Sequence, residues 1–292
     1  MLTPTCHIGA LEVNRLGYGC WRFAGSSLRD AAAKVGAALD AGMTLFDTAP
    51  IYGFGAEGFG DAEARLGDVF AADPALRGQV TLVTKAGITP PMPYDSRAAH
   101  LLDSCEASLR RLRTDVIDLF LIHRPDFLTH PAQVADGLTR LRAAGKVREV
   151  GVSNYTPAQA RALQAHLDFP LAATQPEFSA AHTVPLYDGT LDHAMEAGMA
   201  VMAWSPLAGG ALATGQGDPA LTAKLAEVAQ AHESRPDLVA LAWVLMHPSL
   251  PIALIGSQNP ARITASADVW SLNLSRAEWY AILEASLGER MP

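Results

Sequence analysis

Eight short apolar segments recur along this chain of 292 residues, and a stretch with helical patterning follows most of them. Strands that alternate with helices form βαβ units, and successive units build a parallel sheet. Thr129 and Thr156 are the expected starts of two helices. Gly42, Gly145 and Gly198 stand where three helices should stop. The predicted strands cover residues 16–20, 44–47, 80–85, 117–123, 149–153, 172–175, 200–205 and 252–256.

The alternation predicts one closed barrel rather than two small domains. The βα units run on without a linker or a break in composition, and an eight-stranded α/β barrel takes about 250 residues. A short β segment at residues 6–13 precedes the first strand, and an extra helix at residues 275–287 follows the last unit. We therefore expect an α/β fold, a (β/α)8 TIM barrel, as a single domain over residues 1–292. The predicted helices between strands cover residues 29–41, 61–71, 97–112, 131–144, 157–166 and 186–197.

Composition and charge narrow the class of protein. Hydrophobic residues make up 49% of the chain and charged residues 18%, which is typical of a globular protein. The net charge of −8 argues against nucleic acid and anionic membranes as partners. Cys6, Cys20 and Cys105 form neither a disulfide framework nor a metal site. With no signal peptide and no long apolar run, we expect a cytoplasmic protein without a metal; its oligomeric state is open, and a monomer fits.

Polar or aromatic residues stand where nearly every predicted strand ends. In an α/β barrel the carboxyl ends of the strands converge on one pocket. A purely structural barrel needs no such ring, so the pattern predicts a functional site at this end. The residues at these positions are Gly19, Cys20, Trp21, Asp47, Thr48, Lys85, His123, Arg124, Ser153, Asn154, Gln175, Trp204, Ser205, Gly256 and Ser257.

Asp47, Tyr52, Lys85 and His123 indicate the chemistry of this site. A free tyrosine has a pKa of about 10 and is a weak proton donor at neutral pH. A neighbouring ammonium from Lys85 would favour the phenolate and lower the pKa of Tyr52, while Asp47 would orient that ammonium. His123 would donate a hydrogen bond to a carbonyl oxygen. Such a set protonates an oxygen as hydride arrives at the adjacent carbon.

Each of these residues also has a structural explanation. Asp47 could cap a turn before Thr48, and Lys85 could be a surface lysine just past its strand. A lysine at a barrel strand end can also attack a carbonyl substrate, so a Schiff-base lyase with Lys85 as nucleophile is an alternative. We favour the joint interpretation because the four residues fall together at one end of the same barrel.

Several longer segments can be compared with known families. They are LGYGCWRF, TLFDTAPIYG, TLVTKAG, DLFLIHRPD, GKVREVGVSNYTPAQ, TQPEF, MAWSPLAGG and LIGSQNPARI. In this order and at this spacing they resemble the aldo-keto reductase family over nearly the whole chain. The segments IHRPD, VSNYTPAQ and AWSPLAGG resemble its YdhF-like bacterial branch most closely. The resemblance implies a (β/α)8 barrel that binds NADPH in extended form without a Rossmann fold.

The resemblance also implies roles for individual residues. Tyr52 would be the proton donor, supported by Asp47, Lys85 and His123. Trp204 would stack on the nicotinamide ring. The residues implied to contact the cofactor are Gly19, Cys20, Trp21, Asp47, Ser153, Asn154, Gln175, Trp204, Ser205, Leu207, Gly210, Gly256, Ser257 and Arg262.

Three parts of the cofactor are distinguished within that set. Ser153, Asn154 and Gln175 match positions that hold the nicotinamide carboxamide. The loop with Ser205, Leu207 and Gly210 matches the pyrophosphate-binding loop. Ser257 and Arg262 match positions near the 2′-phosphate of the adenosine end, and a guanidinium pairs well with phosphate.

Two departures from the family pattern bear on the cofactor. Many members have Lys just before the position of Ser257, where this chain has Gly256. A Glu-Asn pair that often clasps adenine is replaced by Ala265 and Ser266. The expected preference for NADPH (NADP+) therefore rests on Ser257 and Arg262, and NADH stays possible.

The resemblance predicts an NADPH-dependent oxidoreductase that reduces a small aldehyde or ketone to the alcohol. A nucleotide-binding regulatory module with little turnover is a further alternative, which the presence of all four catalytic residues disfavours. The substrate itself cannot be read from the sequence. The residues expected to line its pocket are Trp21, Phe23, Tyr52, Phe54, residues 88–94 and Phe127.

Overall fold

Twelve β-strands form within residues 2–291, the part of the chain that the computed structural model describes. In chain order they are β1 (Thr5–Ile8), β2 (Leu11–Asn14), β3 (Leu16–Gly19), β4 (Leu45–Asp47), β5 (Thr81–Ala86), β6 (Ile88–Thr89), β7 (Met92–Tyr94), β8 (Ile117–Ile122), β9 (Val147–Ser153), β10 (Ala173–Gln175), β11 (Ala200–Ala203) and β12 (Ile252–Ile255).

Eight of these strands pair in parallel and close into a barrel. Around the barrel their order is β3, β4, β5, β8, β9, β10, β11 and β12, and β12 pairs with β3 to complete the ring. Strands β1 and β2 form a separate antiparallel hairpin, and so do β6 and β7. The predicted (β/α)8 barrel and its N-terminal β segment are confirmed. That residues 1–292 form a single domain stays a prediction.

Helices surround the barrel. In chain order they are α1 (Leu28–Asp40), α2 (Asp61–Ala72), α3 (Ala98–Leu112), α4 (Pro131–Ala143), α5 (Pro157–Gln164), α6 (Thr190–Ala197), α7 (Ala211–Thr214), α8 (Pro219–Ala231), α9 (Pro236–Leu245), α10 (Pro260–Ala265) and α11 (Arg276–Leu287). None of the helices that the structure describes is long and apolar enough to cross a bilayer.

Local sequence signals explain most helix ends. Thr156 caps α5 through a capping box with Gln159. The cap of α4 is His130 rather than Thr129, because His130 directly precedes the first helical residue and its Nδ1 accepts the backbone N–H of Ala132. Gly42, Gly145 and Gly198 all have positive φ, as helix-terminating glycines do.

Two segments differ from the sequence prediction. The helix expected over residues 186–197 begins only at Thr190, because Gly189 lies in the left-handed region with a φ of 81°. The carboxylate of Asp188 accepts the Thr190 N–H just before that helix. Residues 88–94, which lie outside every predicted strand, form the short hairpin of β6 and β7.

Two apolar layers hold the fold together. One layer lies between the strands and the helices, and Trp243 of α9 is its largest fully buried side chain. The other fills the barrel interior, where Leu45, Val83 and Met202 meet Ile8 and Val13 of the β1–β2 hairpin. The hairpin thereby seals the amino-terminal end of the barrel, and the opposite end is left for a site.

Candidate active site

The alternation of side chains along each strand places polar groups at the open end of the barrel. Side chains two positions apart on a strand share a face, so a residue two places after an interior apolar residue also points inward. The interior pairs are Leu45 and Asp47 of β4, Val83 and Lys85 of β5, Leu121 and His123 at β8, Ala173 and Gln175 of β10, and Met202 and Trp204 at β11.

Lys85 is the centre of a buried cluster with Asp47 and Tyr52. Its Nζ lies 2.7 Å from Oδ2 of Asp47, 2.9 Å from the hydroxyl of Tyr52 and 3.0 Å from the carbonyl oxygen of Thr48. Lys85 is completely buried and Asp47 is nearly so, whereas Tyr52 is partly exposed. The ammonium thus uses its three N–H donors on three acceptors, and only the phenol faces the opening.

The charges of this cluster set the protonation states of Lys85 and Tyr52. Burial alone lowers the pKa of Lys85, but Asp47 and Tyr52 outweigh it, and the pKa lies above its usual value. Burial raises the pKa of Tyr52 to about 12, although Lys85 acts in the opposite direction. The predicted lowering by Lys85 is therefore present but smaller than the effect of burial. At neutral pH Lys85 is an ammonium and Tyr52 is a protonated phenol.

The imidazole of His123 stands beside the phenol. Its ring meets the ring of Tyr52 edge-on, with the centroids 5.9 Å apart. Burial, together with the charges of Lys85 and Arg124, holds the pKa of His123 well below its usual value. The ring is neutral at pH 7 and keeps one N–H donor. The side chain of Asn154 donates to the backbone carbonyl of His123 over 3.3 Å.

A chain of hydrogen bonds runs from Asp47 across the barrel to Trp204. Gln175 Nε2 donates to Oδ1 of Asp47 over 2.9 Å, and Ser153 Oγ donates to the backbone carbonyl of Gln175 over 2.9 Å. Asn154 Nδ2 donates to Ser153 Oγ over 2.9 Å, and Trp204 Nε1 donates to Asn154 Oδ1 over 3.1 Å. The residues expected to hold a carboxamide are thus brought together and fixed next to the cluster.

The loops after β11, β12 and β3 lie side by side, because these strands are neighbours in the barrel. Gly210 of the first loop has a φ of 105°, and a Cβ added there would meet no atom within 4 Å. Ser257 is partly exposed, and Arg262 projects from α10 as an exposed residue. An open glycine surface beside an exposed guanidinium is suited to phosphate groups.

Not every expected contact faces this opening. The thiol of Cys20 is completely buried, so a cofactor contact at this position would come from the backbone. Phe23 is also completely buried and packs edge-on against Tyr18, so the prediction that it lines the substrate pocket is wrong. Trp21 is 59% exposed and Phe127 is 78% exposed, which leaves both free to contact a substrate.

Two groups of the site have no counterpart in the sequence-based prediction. The carbonyl of Thr48 is the third acceptor of Lys85, a backbone role that no residue type signals. Arg22 donates to the carbonyl of Gly209 over 3.0 Å and so joins two of the three loops. Its position directly after Trp21, at a strand end, is a signal that could have identified it.

The fold and the site define a barrel oxidoreductase. The profile of the Aldo/keto reductase family matches residues 15–286, and the chain belongs to that family. The family uses nicotinamide cofactors, and the chain is an oxidoreductase enzyme of this type. The resemblance predicted from the sequence is confirmed.

Individual relatives cover almost the whole chain. A 6-dehydroglucose reductase of Novosphingobium aromaticivorans is 48% identical over 97% of this chain and 94% of its own length. Oxidoreductase YdhF of Escherichia coli is 38% identical over 96% of both chains, which supports the predicted branch. The structure of a glycerol dehydrogenase from Gluconobacter oxydans has a TM-score of 0.86 and 28% identity, with 100% of this chain and 98% of that chain covered.

Proposed function

We propose that the enzyme reduces a small aldehyde or ketone to the alcohol with NADPH as hydride donor and Tyr52 as proton donor. The observation that carries this proposal is the 2.9 Å contact between Lys85 Nζ and the Tyr52 hydroxyl. The ammonium is itself fixed by Asp47 over 2.7 Å. This arrangement gives a protonated phenol at the opening and a stable positive charge directly behind it.

The protein's part in the reaction is proton delivery. Bound nicotinamide would supply the hydride, and with it the electron pair that reduces the carbonyl carbon. As negative charge develops on the carbonyl oxygen, the Tyr52 O–H gives it a proton and becomes a phenolate. Lys85 stabilises that phenolate by charge, and solvent later returns the proton. Neutral His123 donates its N–H to the carbonyl oxygen and orients the substrate.

The geometry of Lys85 disfavours a Schiff-base mechanism. A nucleophilic amine must be unprotonated with a free lone pair. Here Asp47 and Tyr52 raise the pKa of Lys85, and three acceptors occupy its N–H groups. Borohydride added with a carbonyl substrate should therefore leave Lys85 unmodified; a trapped adduct on this lysine would favour the lyase.

The cofactor preference is the finer part of the proposal. Arg262 is exposed near Ser257, where a 2′-phosphate would stand in an extended dinucleotide. We infer that this guanidinium makes NADPH the better cofactor, with NADH as a weaker substitute. Arg262→Ala should reduce the preference for NADPH, and equal use of both cofactors by the unaltered enzyme would refute the assignment.

The substrate side of the site has polar residues at its base, which we call the floor, and aromatic residues on the surrounding loops, which we call the rim. Tyr52 and His123 form the floor, while Trp21, Phe54 and Phe127 are large exposed side chains on the loops above. We propose a small carbonyl compound that presents one apolar face to the aromatic rings. Two relatives bear the name 6-dehydroglucose reductase, which makes sugar-derived aldehydes and ketones the first compounds to try.

The remaining expectations concern location and partners. The three cysteines are free thiols, which supports a reducing compartment, and we propose the cytoplasm. The acidic net charge supports an enzyme whose partners are small molecules rather than nucleic acid or membranes.

Oxidation of NADPH with a panel of aldehydes and ketones tests the function. Tyr52→Phe should lower kcat/KM by about 100- to 10,000-fold, because general acid catalysis contributes that much. Tyr280→Phe, at an exposed tyrosine of α11, is the matched control and should change nothing. Absence of turnover on every carbonyl, or a fully active Tyr52→Phe variant, would overturn the proposed mechanism.

A further inference from the structure

The first turn of α2 holds the backbone of Tyr52. The chain between β4 and α2 folds back on itself over residues 50–60, which we call the Tyr52 loop. The N–H of Gly60 donates to the carbonyl of Pro50 over 2.6 Å and closes this loop at its base. The N–H of Ala62, in α2, donates to the carbonyl of Tyr52 itself over 3.4 Å. The position of α2 therefore sets the position of the Tyr52 phenol.

Glu63, in the same turn of α2, is a buried carboxylate that the proposed chemistry does not use. Its side chain is completely buried, and its Oε1 accepts the hydroxyl of Thr84 over 2.5 Å. Thr84 directly precedes Lys85 on β5. Because side chains alternate along a strand, Thr84 faces the helices while Lys85 faces the barrel interior. The carboxylate thus connects the helix that holds Tyr52 to the strand that carries Lys85.

Arg111 of α3 is the second partner of Glu63. Its Nε and Nη2 lie 2.7 Å and 2.6 Å from Oε2 of the carboxylate. Its central carbon lies 5.9 Å from the ring centroid of Phe59, and a Cβ added to Gly60 would stand 2.5 Å from its Cδ. The side chain of Arg111 therefore packs against the end of the Tyr52 loop. One carboxylate joins β5, α2 and α3 around that loop.

We propose that Glu63 is a positioning residue that fixes α2 and the Tyr52 loop, so that the Tyr52 hydroxyl stays 2.9 Å from Lys85 Nζ. Stability alone does not call for a charge here, because well-packed apolar residues in place of a buried ion pair are often as stable or more so. Position does call for it: a displacement of about 1 Å at a reacting group costs about 100-fold in rate. This inference rests on the proposed function, because it needs Tyr52 as the proton donor.

Reduction of para-substituted benzaldehydes by NADPH tests the role of Glu63. Glu63→Ala should lower kcat by about 10- to 100-fold without raising the KM for NADPH, because the phenol is displaced and the cofactor groove is not. The loss should be larger for 4-methoxybenzaldehyde than for 4-nitrobenzaldehyde. Electron withdrawal makes the developing alkoxide less basic, so it depends less on a proton donor. A smaller folded fraction would instead lower every rate by the same factor.

The conservative variant supplies a rescue. Glutamine keeps an acceptor for Arg111 and a donor for the hydroxyl of Thr84, so Glu63→Gln should retain most of the activity that Glu63→Ala loses.

Asp118→Ala is the matched control. Asp118 of β8 is also a buried carboxylate between two arginines: its Oδ2 accepts Arg77 over 2.9 Å, and its Oδ1 lies 3.0 Å from Arg148. It contacts β5 as well, but at the N–H of Leu82, near the amino-terminal end of that strand. The variant should therefore unfold at a lower urea concentration, with kcat per folded molecule and the dependence on the para substituent unchanged.

A double variant keeps the test decisive where a single variant folds poorly. Glu63→Ala combined with Arg111→Met removes both charges, so neither group is left buried without its partner. Because the two residues hold the same loop, the double variant should lose about as much kcat as Glu63→Ala alone. Independent roles would give the product of the two single losses.

The outcomes separate this inference from the proposed function. A folded Glu63→Ala enzyme with normal kcat, or with the same loss for every benzaldehyde, would overturn the positioning role of Glu63 while the unaltered enzyme still turns over. A fully active Tyr52→Phe variant, or an unaltered enzyme without turnover, would instead refute the proposed function, and this inference with it.

Discussion

The two ends of the barrel each bury a cation, and the two cations have different partners. At the closed end Arg15 donates to the carbonyls of Thr3, Leu245 and Pro251. At the open end Lys85 contacts the carboxylate of Asp47, a phenol and one carbonyl. Burial lowers the pKa of Arg15 to about 10, whereas the partners of Lys85 raise its pKa.

The different partners indicate different roles: Arg15 stabilises the fold, and Lys85 supports the chemistry of Tyr52. Carbonyl groups keep the same charge at every pH, so the environment of Arg15 is fixed, and Arg15 joins the chain before β1 to α9 and β12. The phenol beside Lys85 can gain or lose a proton, and the ammonium responds to that change. Removing each cation should therefore produce a different kind of defect.

Lys85→Met should produce the largest effect, on activity. The phenol then has no positive charge behind it, and we expect kcat/KM to fall by about 1,000-fold. The variant also leaves Asp47 charged and buried, which costs about 3–5 kcal/mol of stability. Carbonyl reduction and urea unfolding measure the two effects.

A second variant separates activity from folding. Asp47→Asn combined with Lys85→Met removes the uncompensated charge, so much of the stability should return without the activity. Recovery of reduction in the double variant would contradict the role of the ammonium.

Arg15→Met should instead lower stability and leave the chemistry intact. Methionine replaces the aliphatic stem but not the guanidinium, so the buried carbonyls of Leu245 and Pro251 and the partly buried carbonyl of Thr3 lose their donors. We expect a loss of about 3 kcal/mol in the free energy of unfolding. kcat per folded molecule should not change. The control Arg140→Met removes an exposed arginine and should stay within about 0.5 kcal/mol. A lower kcat in a folded Arg15→Met protein would contradict the purely structural role of Arg15.

The open end was the more predictable of the two. An apolar strand that ends in a polar residue is visible in sequence, so Asp47, Lys85 and His123 could be assigned to one pocket before their distances were known. The barrel follows from the same alternation of strands and helices. Arg15 gives no comparable signal, because its acceptors are backbone carbonyls separated from it by up to 236 positions.

The sequence also could not show which of two opposing effects on the pKa of Tyr52 is larger. The sequence predicts that the ammonium beside Tyr52 lowers the pKa of the phenol, and the ammonium does act in that direction. Burial acts more strongly, and the degree of burial is a property of the assembled barrel. The hydrogen bond between Gln175 and Asp47 also depends on the assembled barrel. The sequence does not reveal it, because β10 and β4 lie far apart in the chain and on different sides of the barrel.

Gln175→Leu should have a smaller effect at the open end. The variant removes the donor on Oδ1 of Asp47, and a hydrogen bond to a charged group is worth about 1.5–3 kcal/mol. We expect kcat to fall by about tenfold because Asp47 keeps its contact with Lys85 through Oδ2 but loses the hydrogen bond that orients its carboxylate. Steady-state kinetics with varied cofactor measure this, and Gln133→Leu on the exposed face of α4 is the control. A higher KM for the cofactor at unchanged kcat would show that Gln175 acts on the carboxamide alone.

The smallest expected effect is on the pH dependence of stability, and it comes from His123. Its pKa in the folded protein lies well below the ordinary value of 6.5, first through burial and then through Lys85 and Arg124. As the pH falls below 6.5, the ring is protonated in the unfolded chain but not in the folded one. Folding is then penalised by up to about 1.4 kcal/mol per pH unit, until the folded pKa is reached; above 6.5 the penalty is absent.

Urea unfolding between about pH 7 and pH 5 isolates this contribution when His123→Gln is compared with the unaltered protein. Glutamine keeps an N–H donor and does not titrate, so its stability should fall less steeply with acid. The carboxylates titrate in both proteins and cancel in the difference. Parallel curves would mean that His123 takes up its proton equally in both states, and the neutral ring beside Tyr52 would have to be abandoned. A divergence that begins near pH 6.5 would show that the barrel keeps His123 neutral. His123 would then resemble Lys85, because the surroundings of each group at the open end fix its charge state.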